Sequence, residues 1–579
     1  MSQTVAEVLV DQMVEAGIRS IYGIVGDSAN PIVDALRRHE AGIQFVHVRN
    51  EEAGAFAAGA DAQISGRLTA VLGSSGPGSV HLLNGLYDCQ RNGAPVFAIA
   101  THIPSTEIGT GYFQETDPMG MFRKACHFVE MITTPAQLPR LSELAIQAAV
   151  LDRGVAMVVL PGDIAAMEVP NGERAPVHTH TPTLCPSADS LDEAAELINK
   201  AERIVVFGGE GTRDARDEVI ELASRLKAPV AYAYRGKDVL EADNPSAVGM
   251  TGLLGWGGAA GALGACDCLL LLGTDFPYRP FLPTEPSIIQ VDNSPRRLGR
   301  RASVDLGLLG DTGETLRALI PRLTERTDSS FHDTVVKHHE KEVKHLQTYV
   351  THEGSGEGLR PEMVASTISE MAADDAVFTV DTGMCNVWGA RYLHMRKGQR
   401  ILASYRHGSM ANAMPQAIGA KIGSPDRQVI ALCGDGGFTM LMGELLTAAG
   451  LDIPVKLMVF NNSTLGMVRA EMMVVGYKPW GTDVKNPDFG ALAQAAGVHG
   501  ERVEQGGDVR GAIQRALDHQ GPALIDFVTD PRALSMPPST TLEQVKGFAL
   551  TTSKLMFSDD RAEVWEQAKS NIRDLGQVL

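Results

Sequence analysis

The pattern that most constrains the fold is an alternation of short apolar runs with longer amphipathic stretches along most of the 579 residues. Runs such as SIYGIVG, LTAVLGSSG and VAMVVLPGD are rich in Val, Ile, Leu and Ala, and each includes a glycine near its end. This alternation predicts parallel strands that are buried between helices on both faces of a sheet. We therefore expect an α/β protein.

The alternation occurs in three successive units. The first ends near Ile164, the second begins at RIVVFGGEGTRDA, and the third contains QVIALCGDGGF and PVKLMVFNNSTLGM. Three such units predict a duplicated nucleotide-binding sheet, and a chain of this length has room for three to four domains of roughly 150 residues. We predict doubly wound parallel-sheet domains at residues 1–182, 183–335 and 336–530, followed by a helical tail at residues 531–579.

Charge and cysteine content limit the classes of partner. The formal net charge of −19 argues against a sequence-independent grip on nucleic acid and against simple electrostatic attraction to anionic lipid. The seven cysteines are scattered and form no CxxC pair, which argues against a zinc site or a disulfide framework and fits a reducing cytoplasm. No apolar stretch approaches the roughly 18 residues of a spanning helix.

The most specific motif lies at two neighbouring strand ends of the third unit. GDG at residues 434–436 follows one apolar run, and NN at residues 461–462 follows the next. In a doubly wound sheet both strand ends open on one edge, where ligands bind. The Asp435 carboxylate, the Asn462 carbonyl oxygen and the Thr464 backbone carbonyl would offer oxygen ligands to Mg²⁺, and the glycines allow backbone amides to approach a diphosphate.

This pair of motifs resembles the cofactor-binding motif of the thiamin-diphosphate-dependent enzymes. The resemblance implies a thiamin-diphosphate-binding fold in the first and third domains, a Rossmann-like flavin domain between them, and a homotetramer with active sites at subunit interfaces. It also implies that the third domain supplies most residues that bind thiamin diphosphate: Gly408, Ser409, Met410, Asp435, Gly436, Gly437, Asn462, Ser463, Thr464, Leu465, Gly466, Met467 and Val468.

The stretch VRNEEAGAFAAGA places Glu51 and Glu52 at the start of an Ala- and Gly-rich segment. Taken alone, two such acids indicate a solvated first turn of a helix, where they interact favourably with the helix dipole. The stretch is similar to the family's N-terminal signature, which implies that Glu51 is the catalytic acid facing the cofactor's pyrimidine ring, with Glu52 as a structural neighbour. Asn50 departs from the family, which has a histidine there.

Two further segments carry residues that the resemblance places near the reacting carbon. YFQET implies that Phe113 and Gln114 lie over that carbon, and RHGSMANAM implies that Met410 is the apolar wedge that bends the cofactor. A methionine in an ordinary core is the alternative interpretation of Met410. Leu465 and Met467, just beyond the metal loop, are candidates for lining an electron path.

The middle unit resembles the flavin-binding domain of pyruvate oxidases and acetohydroxyacid synthases. The segments MTGLLG, GTDFPYR and QVDNSP carry the resemblance, although each glycine turn alone is weak evidence for any nucleotide. The FAD-binding residues that the resemblance implies are Thr251, Gly252, Leu253, Leu254, Thr274, Asp275, Phe276, Pro277, Tyr278 and Asp292.

Within this family the chain resembles the pyruvate:quinone oxidoreductases. That resemblance implies oxidative decarboxylation of pyruvate to acetate and CO₂, with thiamin diphosphate, Mg²⁺ and FAD as cofactors and a membrane quinone as electron acceptor. The alternatives are an oxygen- and phosphate-dependent pyruvate oxidase, an acetohydroxyacid synthase whose FAD is not reduced, and a non-catalytic scaffold that kept the fold.

The tail at residues 531–579 resembles the membrane-binding extension of that branch. Apolar residues recur there at helical spacing, with an aromatic residue beside them, as in helices that lie in a membrane interface. These residues are Val564, Ala568, Ile572, Leu575 and Leu579, with Trp565. We expect a cytoplasmic protein that binds peripherally to the inner face of the cell membrane; a tail helix docked on its own subunit is the alternative.

Overall fold

The structure is a computed structural model. It describes residues 3–40, 42–170, 177, 179–350 and 358–533. Within these residues the chain forms three α/β domains, each built on a largely parallel sheet, which confirms the predicted fold class. The predicted membrane-binding tail lies outside the described residues from position 534 onward. The predicted domain limits stay predictions.

The N-terminal domain is a six-stranded sheet with helices on both faces. Its strands are β1 Ser20–Gly23, β2 Gln44–His47, β3 Thr69–Gly73, β4 Val96–His102, β5 Phe128–Met131 and β6 Val155–Pro161. Its helices are α1 Val5–Glu15, α2 Asn30–Arg38, α3 Glu51–Ser65, α4 Pro77–Asn92, α5 Pro118–Phe122, α6 Leu138–Leu151 and α7 Gly162–Ala166. The strands are all parallel, in the order β2-β1-β3-β4-β6-β5. Every residue of β4 and β6 is buried, as expected of central parallel strands.

The middle domain is a seven-stranded sheet. Its strands are β7 Ile204–Gly208, β8 Val230–Tyr232, β9 Ala247–Met250, β10 Trp256–Gly257, β11 Cys268–Leu272, β12 Ser287–Asp292 and β13 Leu306–Leu309. Its helices are α8 Ala188–Lys200, α9 Arg216–Leu226, α10 Lys237–Leu240, α11 Ala259–Ala265 and α12 Thr312–Leu319, and the long α13 Ser330–Val350 follows them. The order is β10-β9-β8-β7-β11-β12-β13, with only β10 antiparallel to its neighbour among these described strands.

The C-terminal domain repeats the topology of the N-terminal domain. Its strands are β14 Val377–Val380, β15 Arg400–Ala403, β16 Val429–Gly434, β17 Lys456–Asn461, β18 His499–Val503 and β19 Ala523–Val528. Its helices are α14 Pro361–Met371, α15 Met384–Tyr392, α16 Ala413–Gly423, α17 Asp435–Met440, α18 Leu445–Gly450, α19 Gly466–Val474, α20 Phe489–Ala495 and α21 Val509–Asp518. The order β15-β14-β16-β17-β19-β18 corresponds strand for strand to that of the first sheet, as duplication predicts.

The Ala- and Gly-rich helix α3 is buried between α4 of its own domain and α16 of the C-terminal domain. A Cβ atom added at Gly419 of α16 would lie 1.9 Å from the Ala57 carbonyl oxygen of α3. A Cβ atom at Gly85 of α4 would lie 2.5 Å from the Ala55 Cβ. The small residues of α3 therefore allow two helices to approach its backbone closely, and this contact joins the two terminal domains. Among the described residues, no helix combines the length and apolar character needed to cross a membrane.

Candidate active site

Asp435 is the first residue of α17, at the carboxyl end of β16, and its side chain is buried. The carboxylate accepts hydrogen bonds from the amides of Gly436 at 2.8 Å and Ser463 at 2.6 Å and from the Asn486 side chain at 2.8 Å. Burial raises the pKa of Asp435, although these neutral donors oppose the shift. A carboxylate has about four acceptor positions, so these bonds leave room for a cation, which would offset the cost of burying the charge.

The other two predicted metal ligands also keep acceptor capacity. The Asn462 side-chain oxygen accepts the Thr464 amide at 3.0 Å, and the Thr464 carbonyl accepts the Gly466 amide at 2.9 Å, which leaves one lone pair on each oxygen. Nearby, the buried hydroxyl oxygen of Thr382 has no hydrogen-bond partner among the described residues. Three hard oxygen atoms and an unpaired hydroxyl fit Mg²⁺ and a diphosphate.

These residues line a cleft of about 610 Å³ at the carboxyl edge of the third sheet. The predicted residues that line it are Met410, Asp435, Gly436, Gly437, Asn462, Thr464, Leu465, Gly466, Met467 and Val468. Gly408, Ser409 and Ser463 lie in the same loops without lining it. A Cβ atom at Gly436 would lie 2.7 Å from Leu465 and 3.4 Å from Met410, so these two apolar side chains flank the glycine at the start of α17.

Glu51 begins α3, as the interpretation of a helix start predicts, but its side chain is buried rather than solvated. Its Oε2 lies 3.0 Å from His81 Nδ1 of α4. A Cβ atom at Gly78 would lie 2.9 Å from Glu51 Oε1, so a glycine is needed where the first turn of α4 passes this carboxylate. Asn50, the departure from the family, caps α3 by accepting the Glu52 amide at 2.8 Å.

Gln114 contacts the same glycine-containing segment, residues 74–79, as Glu51 does. Its Oε1 accepts the Ser75 hydroxyl at 3.0 Å, and a Cβ atom at Gly76 would lie 2.9 Å from the Gln114 Cβ. Gln114 itself has a left-handed φ of 63°, and the preceding Phe113 is 78% exposed. The structure thus brings Glu51 and Gln114 together around residues 74–79, while Phe113 points into solvent. None of the three lines the diphosphate cleft of its own chain.

Side chains of the C-terminal domain fix the segment that carries Glu51. Glu444 Oε1 accepts the amides of Arg49 at 3.0 Å and Asn50 at 2.9 Å, immediately before α3. Asn84 of α4 donates to Glu52 at 2.8 Å and to the Ser409 hydroxyl at 3.0 Å. Glu52 therefore belongs to a network that joins α3, α4 and the loop before α16.

A second cleft, of about 1190 Å³, lies at the carboxyl edge of the middle sheet. The glycine turns after β7 and β11 pack against each other there, because a Cβ atom at Gly273 would lie 2.5 Å from the Gly211 Cα. Gly273 has a left-handed φ of 53°, which glycine adopts without strain. Burial raises the pKa of Asp292, the acid at the end of β12, against the lowering effect of Arg297. Paired glycine turns with an acid on a neighbouring strand are typical of nucleotide sites.

Nine of the ten predicted FAD residues line this second cleft: Thr251, Leu253, Leu254, Thr274, Asp275, Phe276, Pro277, Tyr278 and Asp292. Gly252 lies in the same turn with φ 97°, packed against Phe276. Four buried polar atoms of lining residues lack a hydrogen-bond partner within the described part of the chain: Asn92 Oδ1, Tyr234 Oη, Arg235 Nε and Arg406 Nε. A large cleft with unpaired donors, basic groups and paired glycine turns fits a flavin dinucleotide.

Three family models match the chain in order. The N-terminal thiamine pyrophosphate (thiamin diphosphate) binding domain matches residues 3–121, the thiamine pyrophosphate enzyme central domain residues 191–319, and the C-terminal thiamine pyrophosphate binding domain residues 381–527. One relative is YdaP of Bacillus subtilis (strain 168), which is described as a thiamine pyrophosphate-containing protein. The two sequences are 34% identical over 98% of this chain and 99% of YdaP.

The chain belongs to the thiamine pyrophosphate enzyme family. Two further relatives of this thiamine pyrophosphate enzyme have named activities. A pyruvate oxidase of Lactiplantibacillus plantarum is 30% identical over 88% of this chain and 86% of its own. An acetolactate synthase large subunit of Corynebacterium glutamicum is 30% identical over 92% of this chain and 88% of its own.

Sequence reasoning missed several residues that line the two clefts of this thiamine pyrophosphate enzyme. In the second cleft they come from all three domains: Arg91, Asn92, Gly93, Arg153, Gly209, Glu210, Gly211, Ala233, Tyr234, Arg235, Met250, Gly273, Asn293, Arg297, Asp311, Thr312, Tyr405 and Arg406. In the diphosphate cleft they include Pro361, Thr382, Gly383, Met384, Cys385, Trp388, Gly434, Phe460, Thr529, Asp530 and Ala533. The glycines of GGEG after β7 and the DTG that follows β14 were visible signals, because both stand at strand ends.

Proposed function

We propose that this thiamine pyrophosphate enzyme oxidatively decarboxylates pyruvate to acetate and CO₂ and passes two electrons through FAD to a membrane quinone. The observation that carries the proposal is the proximity of the second cleft to the diphosphate cleft, because an oxidative reaction requires electrons to pass from one cofactor to the other. The size of the second cleft, its glycine turns and its position beside the diphosphate cleft support a flavin that takes part in the reaction. The similarity to a pyruvate oxidase supports pyruvate as the substrate.

Each cofactor would depend on particular residues of the chain. When bound, thiamin diphosphate would supply a ring that stabilises the carbanion left by CO₂, and FAD would supply the two-electron acceptor. Asp435, Asn462 and the Thr464 carbonyl would hold Mg²⁺ against the diphosphate, and Met410 would support the cofactor on its apolar side. Glu51 would hold the proton that the pyrimidine ring exchanges, from a buried position in which its Oε2 lies 3.0 Å from His81 Nδ1.

Helix α15 contacts the lining of both clefts. Trp388 of α15 lines the diphosphate cleft, and the next residue, Gly389, would place a Cβ atom 2.8 Å from the Tyr234 hydroxyl that lines the flavin cleft. Further along, Arg391 donates to the Gly255 carbonyl at 3.0 Å, at the end of the predicted FAD turn. This proximity supports electron transfer between the cofactors. We retain Leu465 and Met467 as candidates for its path, because both line the diphosphate cleft.

We also propose that each active site combines two chains of a homotetramer. Glu51 and Gln114 lie outside the diphosphate cleft of their own chain, and Phe113 is 78% exposed. Mixing two inactive variants, Glu51→Gln and Asp435→Ala, and reassembling them tests this arrangement. If a site draws Glu51 and Asp435 from different chains, mixed assemblies contain some intact sites and recover part of the activity. If both residues act within one chain, no mixture recovers activity.

Anaerobic mixing of the purified holoenzyme with pyruvate tests the redox part of the proposal. We expect the oxidised flavin absorbance to bleach and acetate and CO₂ to form once a quinone is added. Acetolactate with the flavin still oxidised would instead identify an acetohydroxyacid synthase. Acetyl phosphate with peroxide, formed faster in phosphate, would identify an oxygen-dependent oxidase, and no reaction at all would indicate a scaffold.

The proposed site of action is the inner face of the cell membrane, with the tail at residues 531–579 as the element that binds lipid. Truncation after Pro531 should then abolish binding to liposomes and quinone reduction, while reduction of a soluble dye continues. Binding to liposomes by the truncated enzyme would refute the role of the tail.

A further inference from the structure

Asp381 is a buried carboxylate that the reaction scheme above does not use. It follows β14 directly, and its side chain is 1% exposed. It stands between two segments that line the diphosphate cleft, the loop of residues 408–412 and the first turn of α17. Because burying a carboxylate is costly, its presence at this position requires an explanation.

The partners of Asp381 are backbone amides from both cleft segments. The carboxylate oxygen Oδ1 accepts the Asn412 amide at 3.1 Å. The amides of Ala411 and Ala413 on the same side and of Gly434 on the other lie close enough to oppose the rise in the pKa of Asp381 that burial causes. Each of these partners is an N–H donor, so the site needs an acceptor at every position. An asparagine would turn its NH₂ group towards some of these donors and leave them unpaired.

Two residues beside Asp381 are tightly constrained. Ala411, directly after Met410, has a left-handed φ of 68°, which is strained for a residue with a side chain and persists only when its surroundings hold it. A Cβ atom at Gly437 would lie 1.9 Å from Asp381 Oδ2, so the carboxylate occupies the space where another residue would carry its side chain. The glycine in the first turn of α17 and the strained residue after Met410 therefore both lie beside the same carboxylate.

We propose that Asp381 is a positioning residue that fixes the loop carrying Met410 against the first turn of α17, so that the cleft is shaped before the cofactor binds. The carboxylate does this by accepting the Asn412 amide with Oδ1 while Oδ2 packs against Gly437 of α17. The inference rests on the proposed function only in taking this cleft as the thiamin diphosphate site. Asp381 touches neither substrate nor metal in this scheme.

Hydrogen–deuterium exchange without cofactor tests the inference independently of catalysis. The variant is Asp381→Asn in the full-length protein, and the matched control is Asp61→Asn, which changes a buried carboxylate of α3 that accepts the Tyr22 hydroxyl at 2.9 Å. We expect the amides of residues 411–413 to exchange at least tenfold faster in Asp381→Asn and at the wild-type rate in Asp61→Asn. Unchanged exchange of these amides in Asp381→Asn would overturn the inference.

Calorimetric titration with thiamin diphosphate in the presence of Mg²⁺ gives a second readout. Because hydrogen bonds to a charged group are lost, we expect Asp381→Asn to bind thiamin diphosphate about 10- to 100-fold more weakly than the wild type. We expect Asp61→Asn to bind it with wild-type affinity. Wild-type affinity in Asp381→Asn would contradict the inference. Failure of the wild-type protein to bind thiamin diphosphate would refute the proposed function, while the exchange experiment would still decide the role of Asp381.

A second variant covers the case in which Asp381→Asn does not fold. Gly437→Ala keeps Asp381 in the sequence but displaces its carboxylate, because the added methyl group would lie 1.9 Å from Oδ2. The same faster exchange at residues 411–413 is expected in this variant. Wild-type exchange there would refute the proposed role.

Discussion

Replacing Gly419 by alanine tests how the terminal domains pack. The new Cβ atom would lie 1.9 Å from the Ala57 carbonyl oxygen and 2.7 Å from the Ala57 Cα, so α16 and α3 must separate by roughly 1 Å. Overpacking costs about 1–3 kcal/mol, and no rotamer change relieves a clash between backbones, so the upper end applies. The better helix propensity of alanine stabilises the variant by about 1 kcal/mol. The free energy of unfolding should therefore fall by about 2 kcal/mol in total.

Urea unfolding followed by circular dichroism measures this loss. With a denaturant slope of about 1–3 kcal/mol per molar urea, the midpoint should fall by roughly 1 M in Gly419→Ala. The matched control is Gly261→Ala in α11, where a Cβ atom would meet nothing within 4 Å. That variant should gain about 0.5–1 kcal/mol, because alanine loses less backbone entropy than glycine in a helix. A midpoint for Gly419→Ala at or above the wild-type value would refute the packing argument.

Three further predictions concern the two clefts and the contact between domains. Glu51→Gln should keep bound flavin while turnover falls by about 10²–10⁴-fold, as measured by quinone reduction, because a proton-transfer group is lost. Chelation of Mg²⁺ should release thiamin diphosphate but leave the flavin absorbance of the filtered protein unchanged. Burial raises the pKa of Asp88 to about 7, so the folded state favours the protonated acid, and wild-type stability should fall as pH rises from about 4 to 7. In Asp88→Asn, urea unfolding at pH 5 and pH 8 should no longer show this contribution to the fall in unfolding free energy with pH. A pH dependence equal to that of the wild type would contradict the raised pKa of Asp88.

The diphosphate edge could be predicted from sequence because its signals are local. Asp435 and Asn462 each stand within one or two residues of the end of an apolar run, and parallel strands bring such ends to one edge. The glycine turns of the second cleft could be predicted in the same way, because they also stand at strand ends. The position of Asp381 offered the same signal, as the first polar residue after β14, but nothing in the sequence shows which amides surround it.

Contacts between domains could not be predicted from the sequence. Arg91, Arg153 and Arg406 reach the second cleft from the two terminal domains, and their positions depend on how three separate sheets pack. The same holds for Glu444, which contacts the amide of Asn50 almost 400 residues away in sequence. Glu52, expected to be only a neighbour of Glu51, takes part in the contact between domains through Asn84 for the same reason.

The central claim is that the two clefts serve one oxidative reaction. Its most direct test is the flavin absorbance after anaerobic addition of pyruvate to protein that carries FAD, with and without thiamin diphosphate and Mg²⁺. The account predicts that the oxidised flavin band bleaches only when both thiamin diphosphate and Mg²⁺ are present. A flavin that stays oxidised in the complete mixture, or that bleaches equally without thiamin diphosphate, would contradict it.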